Sequence, residues 1–203
     1  MQNTELQILT KIKKAKRGAL FFADSFVNFG NAKTINKALE RLVKSNEIDR
    51  VATGIYVRPV INKNFGKIHP TTEEIALAIA KRDKARVVPT GSYALNQLGL
   101  STQVPMNIVY LTDGAARLVK IGRMTIKFKK TTPRNVSATG EISRLVIQAL
   151  RTLGKNNVTG EEIAHIQKLL KKEKPTRLEH DIRFAPAWIR EIMKPALSKT
   201  NEH

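Results

Sequence analysis

The residues best placed to do chemistry in this sequence are Gly91 and Ser92, which separate a strand-like segment from a helix-like one. At such a junction they could cradle a phosphate at the helix N-terminus, as a Gly-Ser pair does in nucleotidyltransferases. That reaction needs two or three carboxylates to hold Mg²⁺ against a triphosphate. No acidic residue occurs between positions 86 and 110, and Asp113 stands alone. The sequence therefore predicts a helix cap at Thr90 or Ser92 and no catalytic site.

The histidines are the other candidates for catalysis or metal binding, and they are His69, His165, His180 and His203. Their spacing matches no metal-ligand pattern, and the chain has no cysteine to supply a thiolate. His180 and Asp181 are adjacent, and neighbours on a helix are expected to point apart. No Walker, GxSxG or GxGxxG motif occurs. The sequence predicts no catalytic residue, no metal site and no cofactor, and hence a protein that is not an enzyme.

A third set of residues could contact a polyanion, because it would form one face of a helix predicted over residues 31–46. Ile35, Leu39, Leu42 and Val43 recur at the spacing of a buried stripe. On the opposite face, Asn and Arg can address base edges, and Lys and Thr can hold phosphates. Together with the hairpin that follows, the candidate DNA-binding residues are Lys33, Thr34, Asn36, Lys37, Arg41, Lys44, Arg50 and Arg58.

The net charge of the chain favours such a partner. The 203 residues include 36 Lys and Arg against 17 Asp and Glu, a formal charge of +19. Residues 1–67 carry 13 basic and 5 acidic side chains (+8), residues 68–132 carry 10 and 4 (+6), and residues 133–203 carry 13 and 8 (+5). This excess is typical of proteins that bind DNA, RNA or an anionic membrane surface. A basic surface that only keeps the protein in solution is the alternative.

The elements that would position the basic face have the order helix, helix, helix, hairpin within residues 4–57. A basic first helix, predicted over residues 4–16, carries an apolar stripe of Leu6, Leu9 and Ile12. A short second helix is predicted within residues 23–28, and two strands around Gly54 complete a winged helix-turn-helix. A small basic bundle, or a winged helix that binds only proteins, stays an alternative.

Further along the chain, helices and strands alternate before a helical end. Thr-x-x-Glu or Thr-x-x-Gln patterns predict helix starts at Thr4, Thr71, Thr159 and Thr176. Strands are predicted at residues 86–88 and 107–111, with a hairpin formed by residues 118–121 and 124–128. Linkers are predicted at residues 58–67 and 131–140. The remaining chain, to about residue 197, reads as helices with Trp188 in their core.

The fold class predicted from these elements is α+β. It comprises a winged helix-turn-helix at residues 1–60, a mixed α/β domain at residues 61–132, and a helical region at residues 133–203 packed on the middle domain. No stretch approaches the roughly 20 apolar residues of a membrane span, and the first residues lack the apolar core of a signal peptide. The expected location is the cytoplasm, without membrane contact.

Several runs in the sequence resemble one known family. They are GIYVRP at residues 54–59, PTGSYALNQLGLSTQVP at residues 89–105, LTDG at residues 111–114, and the hairpin over residues 121–128. With these runs the chain resembles the DUF6088-type proteins related to AbiE-type (type IV) antitoxins, over roughly residues 20–188.

The resemblance implies an N-terminal winged helix that represses its own promoter and a C-terminal region that counteracts a toxin. The implied toxin is nucleotidyltransferase-like, and its neutralisation need not involve a stable complex. Family DNA contacts match residues 33–44 and 50–58 of this chain. The expected function is thus a DNA-binding transcriptional regulator, an autorepressor and antitoxin whose partner is double-stranded DNA of its own promoter. The alternative is a protein-interaction module that neutralises the toxin, in which the winged helix has only a supporting role. An RNA-binding module is disfavoured because aromatic residues, which stack on bases, make up only 5% of the chain.

Overall fold

A computed structural model describes residues 4–197 of the chain. Internal contacts divide the molecule into two compact units. Among the described residues, unit 1 contains residues 4–79 and 119–123, and unit 2 contains residues 80–118 and 124–197. Helices and strands occur in both, which confirms the expected mixed α/β composition.

Two sequence expectations reach beyond the described residues. His203 lies outside them, as do the outer ends of the domains predicted at residues 1–60 and 133–203. The three-part functional division stays a prediction. Within residues 4–197, every helix is too short or too polar to span a bilayer.

Unit 1 places two helices over a small sheet. Its first elements are α1 (Thr4–Lys14), β1 (Leu20–Phe22), a 3₁₀ segment (Ala23–Phe29), α2 (Ala32–Lys44), β2 (Asp49–Ala52) and β3 (Ile55–Val57). The strands pair antiparallel in the order β1-β3-β2. The helices and the β2–β3 hairpin confirm the sequence prediction, whereas β1 was not predicted, because its run of three apolar residues is too short to alternate.

The core of unit 1 joins both helices to the sheet. Ile8 and Ile12, one turn apart on α1, are completely buried, and they cluster with Leu39 of α2 and Tyr56 of β3. The stripe predicted for α1 is therefore wrong in one member, since Leu6 is 61% exposed. The stripe predicted for α2 is buried except at its last residue, which is only partly covered.

Unit 1 also contains a second hairpin where the sequence predicts a linker. Strands β4 (Val60–Asn62) and β5 (Gly66–Ile68) pair antiparallel, so the linker prediction for residues 58–67 is wrong. The asparagines and glycine of this stretch form the turn of the hairpin, and their composition is what made it read as a linker.

Two of the four predicted capping boxes are present. Helix α3 (Thr72–Arg82) begins at Thr71, whose N–H donates to the Glu74 carboxylate at 2.7 Å while its hydroxyl accepts from the Glu74 N–H at 3.2 Å. Helix α6 (Gly160–Leu170) begins at Thr159 with the same reciprocal bonds to Glu162. These boxes satisfy backbone N–H groups that a helix start leaves unpaired.

The other two predicted capping boxes are wrong. The Thr4 hydroxyl donates to the carbonyl of Phe29 at 2.9 Å, and Thr4 itself is the first residue of α1. Helix α7 (Pro175–Ile182) begins before Thr176, because Pro175 has the backbone angle of a first helical residue and needs no N–H partner there.

A four-stranded sheet is formed mostly by residues of unit 2. Its strands are β6 (Val87–Thr90), β7 (Asn107–Thr112), β8 (Arg117–Ile121) and β9 (Met124–Lys130), in the order β6-β7-β9-β8. Strand β6 is antiparallel to β7, and β7 is parallel to β9. The predicted alternation along β9 is confirmed, because Ile126 and Phe128 are buried while Lys127 between them is exposed.

The segment that carries Gly91 and Ser92 is a strand followed by a short helix, α4 (Ser92–Gln97). Its N-cap is Gly91, at φ +66° and ψ −144°, and no side chain caps it. The predicted cap at Thr90 or Ser92 is therefore wrong, because the backbone angles that begin this helix suit glycine. Gly99 follows the helix at φ +70°, as expected of a residue that ends one.

The remaining helices enclose one apolar core. They are α5 (Glu141–Leu153), α6, α7 and α8 (Ala187–Met193). Their fully buried residues include Leu150, Ile166 and Ile189, and Trp188 packs against the same cluster as a partly buried residue. The predicted linker at residues 131–140 holds a 3₁₀ segment (Pro133–Val136) that buries its last residue.

Two carboxylates complete the start of α5, which has no side-chain cap of its own. Glu173 accepts from the N–H of Ile142 at 2.7 Å. Asp181, completely buried, accepts from the N–H of Gly140 at 2.7 Å and from the Ser143 hydroxyl. Negative charge at a helix N-terminus is favourable, so Asp181 ties α7 to α5 and Glu173 ties the segment between α6 and α7 to the same helix start.

His180 contacts the same carboxylate, with Nδ1 2.8 Å from Asp181 Oδ1. The expectation that these neighbours point apart is wrong, because α7 ends at residue 182 and its last turn lets the imidazole reach the buried carboxylate. Ser143 donates to the aspartate and not to the histidine, so the three groups stabilise a helix start and do not form a nucleophile–base pair.

Gly140 provides the first stability prediction. A Cβ there would lie 2.5 Å from a Glu173 carboxylate oxygen and collide with the Ser143 hydroxyl. We expect G140A to lower the free energy of unfolding by about 2 kcal/mol or more, measured by urea denaturation. The matched control is G160A, because nothing lies within 4 Å of the added carbon. Equal effects of the two substitutions would contradict the packing described at α5.

Candidate nucleic-acid interface

Helix α2 is positioned by its cap and its buried stripe. The Asn31 side chain accepts from the Thr34 N–H at 2.9 Å and from the Thr34 hydroxyl at 3.0 Å, which fixes where the helix begins. Ile35, Leu39 and Leu42 anchor the inner face in the core of unit 1. The opposite face therefore points to solvent along the whole helix.

Four of the predicted DNA-binding residues share this outer face. They are Lys33, Asn36, Lys37 and Lys44, and all four are exposed. Within residues 4–197, none of the three lysines has a carboxylate partner. The face thus offers three unneutralised ammonium groups and an amide with donor and acceptor, the combination that suits a DNA groove.

Thr34 and Arg41 have partners within the protein. The Thr34 hydroxyl donates its proton to Asn31, so it can meet a partner only as an acceptor. The Arg41 Nε donates to a Glu5 carboxylate oxygen at 2.6 Å, and the arginine side chain remains 59% exposed. The sequence did not reveal this ion pair, since 36 residues separate its members.

The Arg41–Glu5 pair leads to a prediction about DNA binding. Removing the carboxylate charge with E5Q frees Arg41 to contact a phosphate, so affinity for duplex DNA should rise a few-fold and the salt slope should steepen by roughly 0.9. The free energy of unfolding should change by less than about 1 kcal/mol, because the pair is exposed. Electrophoretic mobility shifts at several salt concentrations measure this.

A matched control exists for this variant. Glu191 pairs with Lys194 on a different exposed helix surface, with Nζ and Oε1 2.8 Å apart. E191Q removes the same charge and should leave the salt slope at the wild-type value. Equal steepening by both variants would show that total charge, and not the α2 face, governs binding.

Arg50 and Arg58, predicted on the hairpin, differ in their surroundings. Arg50 is exposed on β2, opposite Tyr56 of β3. Burial raises the pKa of Tyr56, and the positive charge of Arg50 offsets only part of that rise. Arg58 is half-buried, and its Nη1 donates to the carbonyl of Lys13 at 3.3 Å. Arg50 is therefore free to meet a partner, whereas Arg58 also braces α1.

The β2–β3 turn is short and tethered. It consists of Thr53 and Gly54, and the Gly54 carbonyl accepts from the N–H of Ala23 at 3.0 Å. This turn therefore carries no long side chain outward. The longer hairpin of unit 1 is β4–β5, and it contains none of the predicted site residues. The Asn-Lys-Asn-Phe-Gly sequence of its turn was a signal from which the hairpin could have been predicted.

Asp49 joins β2 to strand β5 and to His69, which follows β5. Its carboxylate accepts from Lys67 Nζ and lies against His69 Nε2, both at 2.8 Å. Burial alone would raise the pKa of Asp49, but the hydrogen bonds and charges of Lys67 and His69 outweigh it and hold that pKa below its ordinary value. The base of the β4–β5 hairpin is thereby fixed to β2.

The residues weighed for catalysis occupy separate structural roles in unit 2. Asp113 pairs with Arg86, with Oδ2 2.8 Å from Nε. His165 bonds the carbonyl of Leu98 at 2.8 Å, which closes the end of α4. Within residues 4–197, no three His, Asp or Glu residues are grouped as metal ligands.

Comparison with known proteins gives one family match. A model described as "Family of unknown function (DUF6088)" matches residues 7–178. No curated protein matches. The matched range runs from α1 to α7, so it includes the exposed face of α2 and both hairpins of unit 1.

Proposed function

The chain belongs to the DUF6088 family, a family of unknown function, and from that premise we propose that it is a winged-helix, DNA-binding transcriptional regulator. The observation that carries the proposal is the outer face of α2, where Lys33, Asn36, Lys37 and Lys44 are exposed above a buried apolar stripe. Basic and amide side chains on one helix face suit phosphates and base edges respectively.

The order of elements around α2 supports the proposal. Helix α1, strand β1, a 3₁₀ segment, helix α2 and the β2–β3 hairpin follow one another, and the three strands form one antiparallel sheet. This order is the one expected of a winged helix-turn-helix, in which the 3₁₀ segment stands for the middle helix. Helix α2 is then the recognition helix.

The proposed docking places the N-terminal half of α2 in the major groove, which is about 12 Å wide and admits one helix. Asn36 reads a base edge, with adenine as the partner that suits its paired donor and acceptor. Lys33 and Lys37 hold the flanking phosphates, and Arg50 contacts the backbone from β2. Arg41 joins them when it leaves Glu5.

The biological role that we propose is repression of the chain's own promoter, in a cytoplasmic protein that acts by binding and not by catalysis. Its relation to AbiE-type antitoxins belongs to this proposal and rests on the central GSYALNQLGL block and the basic N-terminal unit.

A competition assay tests the proposal. Labelled duplex from upstream of the gene is bound by the full chain and challenged with unlabelled upstream duplex or with the same sequence scrambled. A specific regulator is displaced at much lower concentrations of its own DNA, since specific sites are typically at least about 1,000-fold tighter. Equal displacement by both competitors refutes sequence-specific regulation.

A second function, neutralisation of a nucleotidyltransferase-like toxin, is favoured by apolar side chains exposed in unit 2. Val104 is 77% exposed and Met106 is 56% exposed, both between α4 and β7. A V104S/M106S variant should lose copurification with such a toxin while it retains DNA binding. Unchanged copurification would remove this segment from consideration.

A further inference from the structure

The β4–β5 hairpin carries an exposed aromatic side chain at its tip. Its register pairs Val60 with Ile68 and Asn62 with Gly66, which leaves a loop of Lys63, Asn64 and Phe65. We propose that this hairpin is a second DNA-contacting arm, which inserts Phe65 between base pairs in the minor groove and bends the duplex. The proposal rests on the proposed DNA-binding function of unit 1.

The tip of the arm is ordered by its own hydrogen bonds. The Asn62 side chain accepts from the N–H of Asn64 at 2.8 Å and from the N–H of Phe65 at 3.1 Å. Gly66 adopts φ +72°, which closes the turn. Phe65 is therefore held outward by the backbone, and it is 82% exposed.

The base of the arm is fixed to unit 1 on both strands. Before β4, the Arg17 guanidinium donates to the carbonyl of Pro59 at 3.1 Å, and the Gly18 N–H donates to the carbonyl of Arg58 at 2.8 Å. On β5, the bond from Lys67 to Asp49 described above anchors the other strand. A rigid base and an ordered tip give Phe65 a defined position, which a wedge requires.

The exposed apolar surface of the arm indicates that something covers it. Val60, Ile61 and Ile68 are 37%, 56% and 44% exposed, in addition to Phe65. Leaving a phenylalanine in water forgoes about 1.5–3 kcal/mol of burial energy. Neighbouring apolar residues without cover mark a contact site.

Charge identifies the partner as a polyanion. No acidic residue occurs from position 50 to position 72, while Arg50, Arg58, Lys63 and Lys67 lie in that range. Lys63, next to the tip, is exposed and has no carboxylate partner within residues 4–197. Apolar wedges flanked by Lys and Asn are how minor-groove proteins unstack a base step and bend DNA.

The short β2–β3 turn strengthens this assignment. A winged helix commonly reaches the backbone or minor groove with an arm beside the recognition helix, and the two-residue turn at Thr53 carries no side chain long enough to do so. Only two residues separate β3 from the β4–β5 hairpin, which supplies that reach.

The bend is measured by energy transfer between dyes at the two ends of a short mixed-sequence duplex. At about 50 mM salt the charge of the protein holds it on DNA of any sequence, so binding does not depend on finding an operator. Wild-type protein should raise the transfer efficiency by an amount that corresponds to a bend of roughly 20–90°. F65A should bind roughly 10-fold more weakly and give no bend.

Two further variants make the result specific. F65L keeps an apolar wedge and should retain most of the bend. L118A removes a comparably exposed apolar side chain from unit 2, and it should bend DNA as the wild type does. In F65W, the added tryptophan should stack on bases, so that DNA quenches half or more of its fluorescence. The wild type, whose only tryptophan is Trp188, gives the background signal to subtract.

The outcomes separate this proposal from the function on which it rests. Binding by all variants with an identical bend, or with unchanged F65W fluorescence, overturns the wedge and leaves the DNA-binding function in place. No binding to duplex at low salt overturns both. A fluorescence change on phosphatidylglycerol vesicles and not on DNA, or on raising the protein concentration alone, assigns the tip to a membrane or a second copy and overturns the wedge.

Discussion

The triple variant K33A/N36A/K37A is expected to bind its own upstream DNA at least about 100-fold more weakly than the wild type. The three side chains are exposed on one face of α2 and support no part of the core, so the variant should fold normally. Removing the two lysines should reduce the salt slope by about 1.8, which is the effect of two phosphate contacts.

The double variant K33A/K37A and the single variant N36A divide this effect by its chemistry. K33A/K37A should weaken binding to upstream and scrambled duplex equally, because phosphates carry no sequence information. N36A should weaken binding to upstream duplex by roughly 10- to 100-fold and leave binding to scrambled duplex unchanged. Fluorescence anisotropy titrations with both duplexes measure the two effects.

The control for lost charge is K171A/K172A, which removes two exposed lysines that follow α6 in unit 2. It should retain at least about half of the wild-type affinity on upstream duplex at physiological salt, because screening confines each charge to its own surroundings. A loss as large as that of K33A/K37A would show that α2 is not the interface.

The largest stability effect is expected at Asp181. D181A removes the acceptor for the N–H groups of Thr139 and Gly140 and for the Ser143 hydroxyl, and all of these groups lie at the start of α5. A buried donor without a partner costs about 1–3 kcal/mol, so the variant should lose roughly 4 kcal/mol of unfolding free energy. Urea denaturation followed by circular dichroism measures this loss.

A control lies on the same helix. Glu179 is exposed and reaches Arg183 only at 3.7 Å, so E179Q should change the free energy of unfolding by less than about 0.5 kcal/mol. If D181A were no more damaging than E179Q, the carboxylate would not hold α7 to α5.

Asp181 also predicts how stability depends on pH. Burial alone would raise its pKa, but hydrogen bonds from Ser143, His180 and the backbone of Thr139 and Gly140 outweigh burial and hold the pKa below its ordinary value. The stabilisation is therefore complete above the unfolded pKa of about 3.9 and is lost as the pH falls below it. The stability difference between wild type and D181N should shrink over that acidic range.

How much the sequence could predict depended on the range of the interaction concerned. The buried stripe of α2, the β8–β9 hairpin and the capping boxes at Thr71 and Thr159 depend on residues close together in the sequence, and all are present. Periodicity and cap chemistry are local, so a single sequence displays them.

The errors arose where distant residues compete with local signals. Thr4 has the local pattern of a cap, yet its hydroxyl bonds the carbonyl of Phe29, 25 residues away. The sequence indicates no ion-pair partner for Arg41, whereas the fold places the Glu5 carboxylate beside it. His180 contacts the Asp181 carboxylate, which is buried against the start of α5. Such contacts depend on tertiary packing and leave no trace in local spacing.

Turn chemistry accounts for the missed hairpin. Residues 58–67 carry the Pro, Asn and Gly that mark linkers, and the same residues make the ordered turn between β4 and β5. An Asn-to-Gly turn between two short apolar pairs was the available signal. The missed hairpin bears on the proposed function, because it forms the arm that carries Phe65.

We propose above that the outer face of α2 reads a specific DNA sequence. A hydroxyl-radical footprint of the full chain on DNA upstream of its gene, at about 50 and about 200 mM salt, tests it most directly. The wild type should give a discrete protected site that persists at the higher salt, and N36A should give none. Uniform protection of the whole fragment, or a discrete site unchanged in K33A/N36A/K37A, would contradict it.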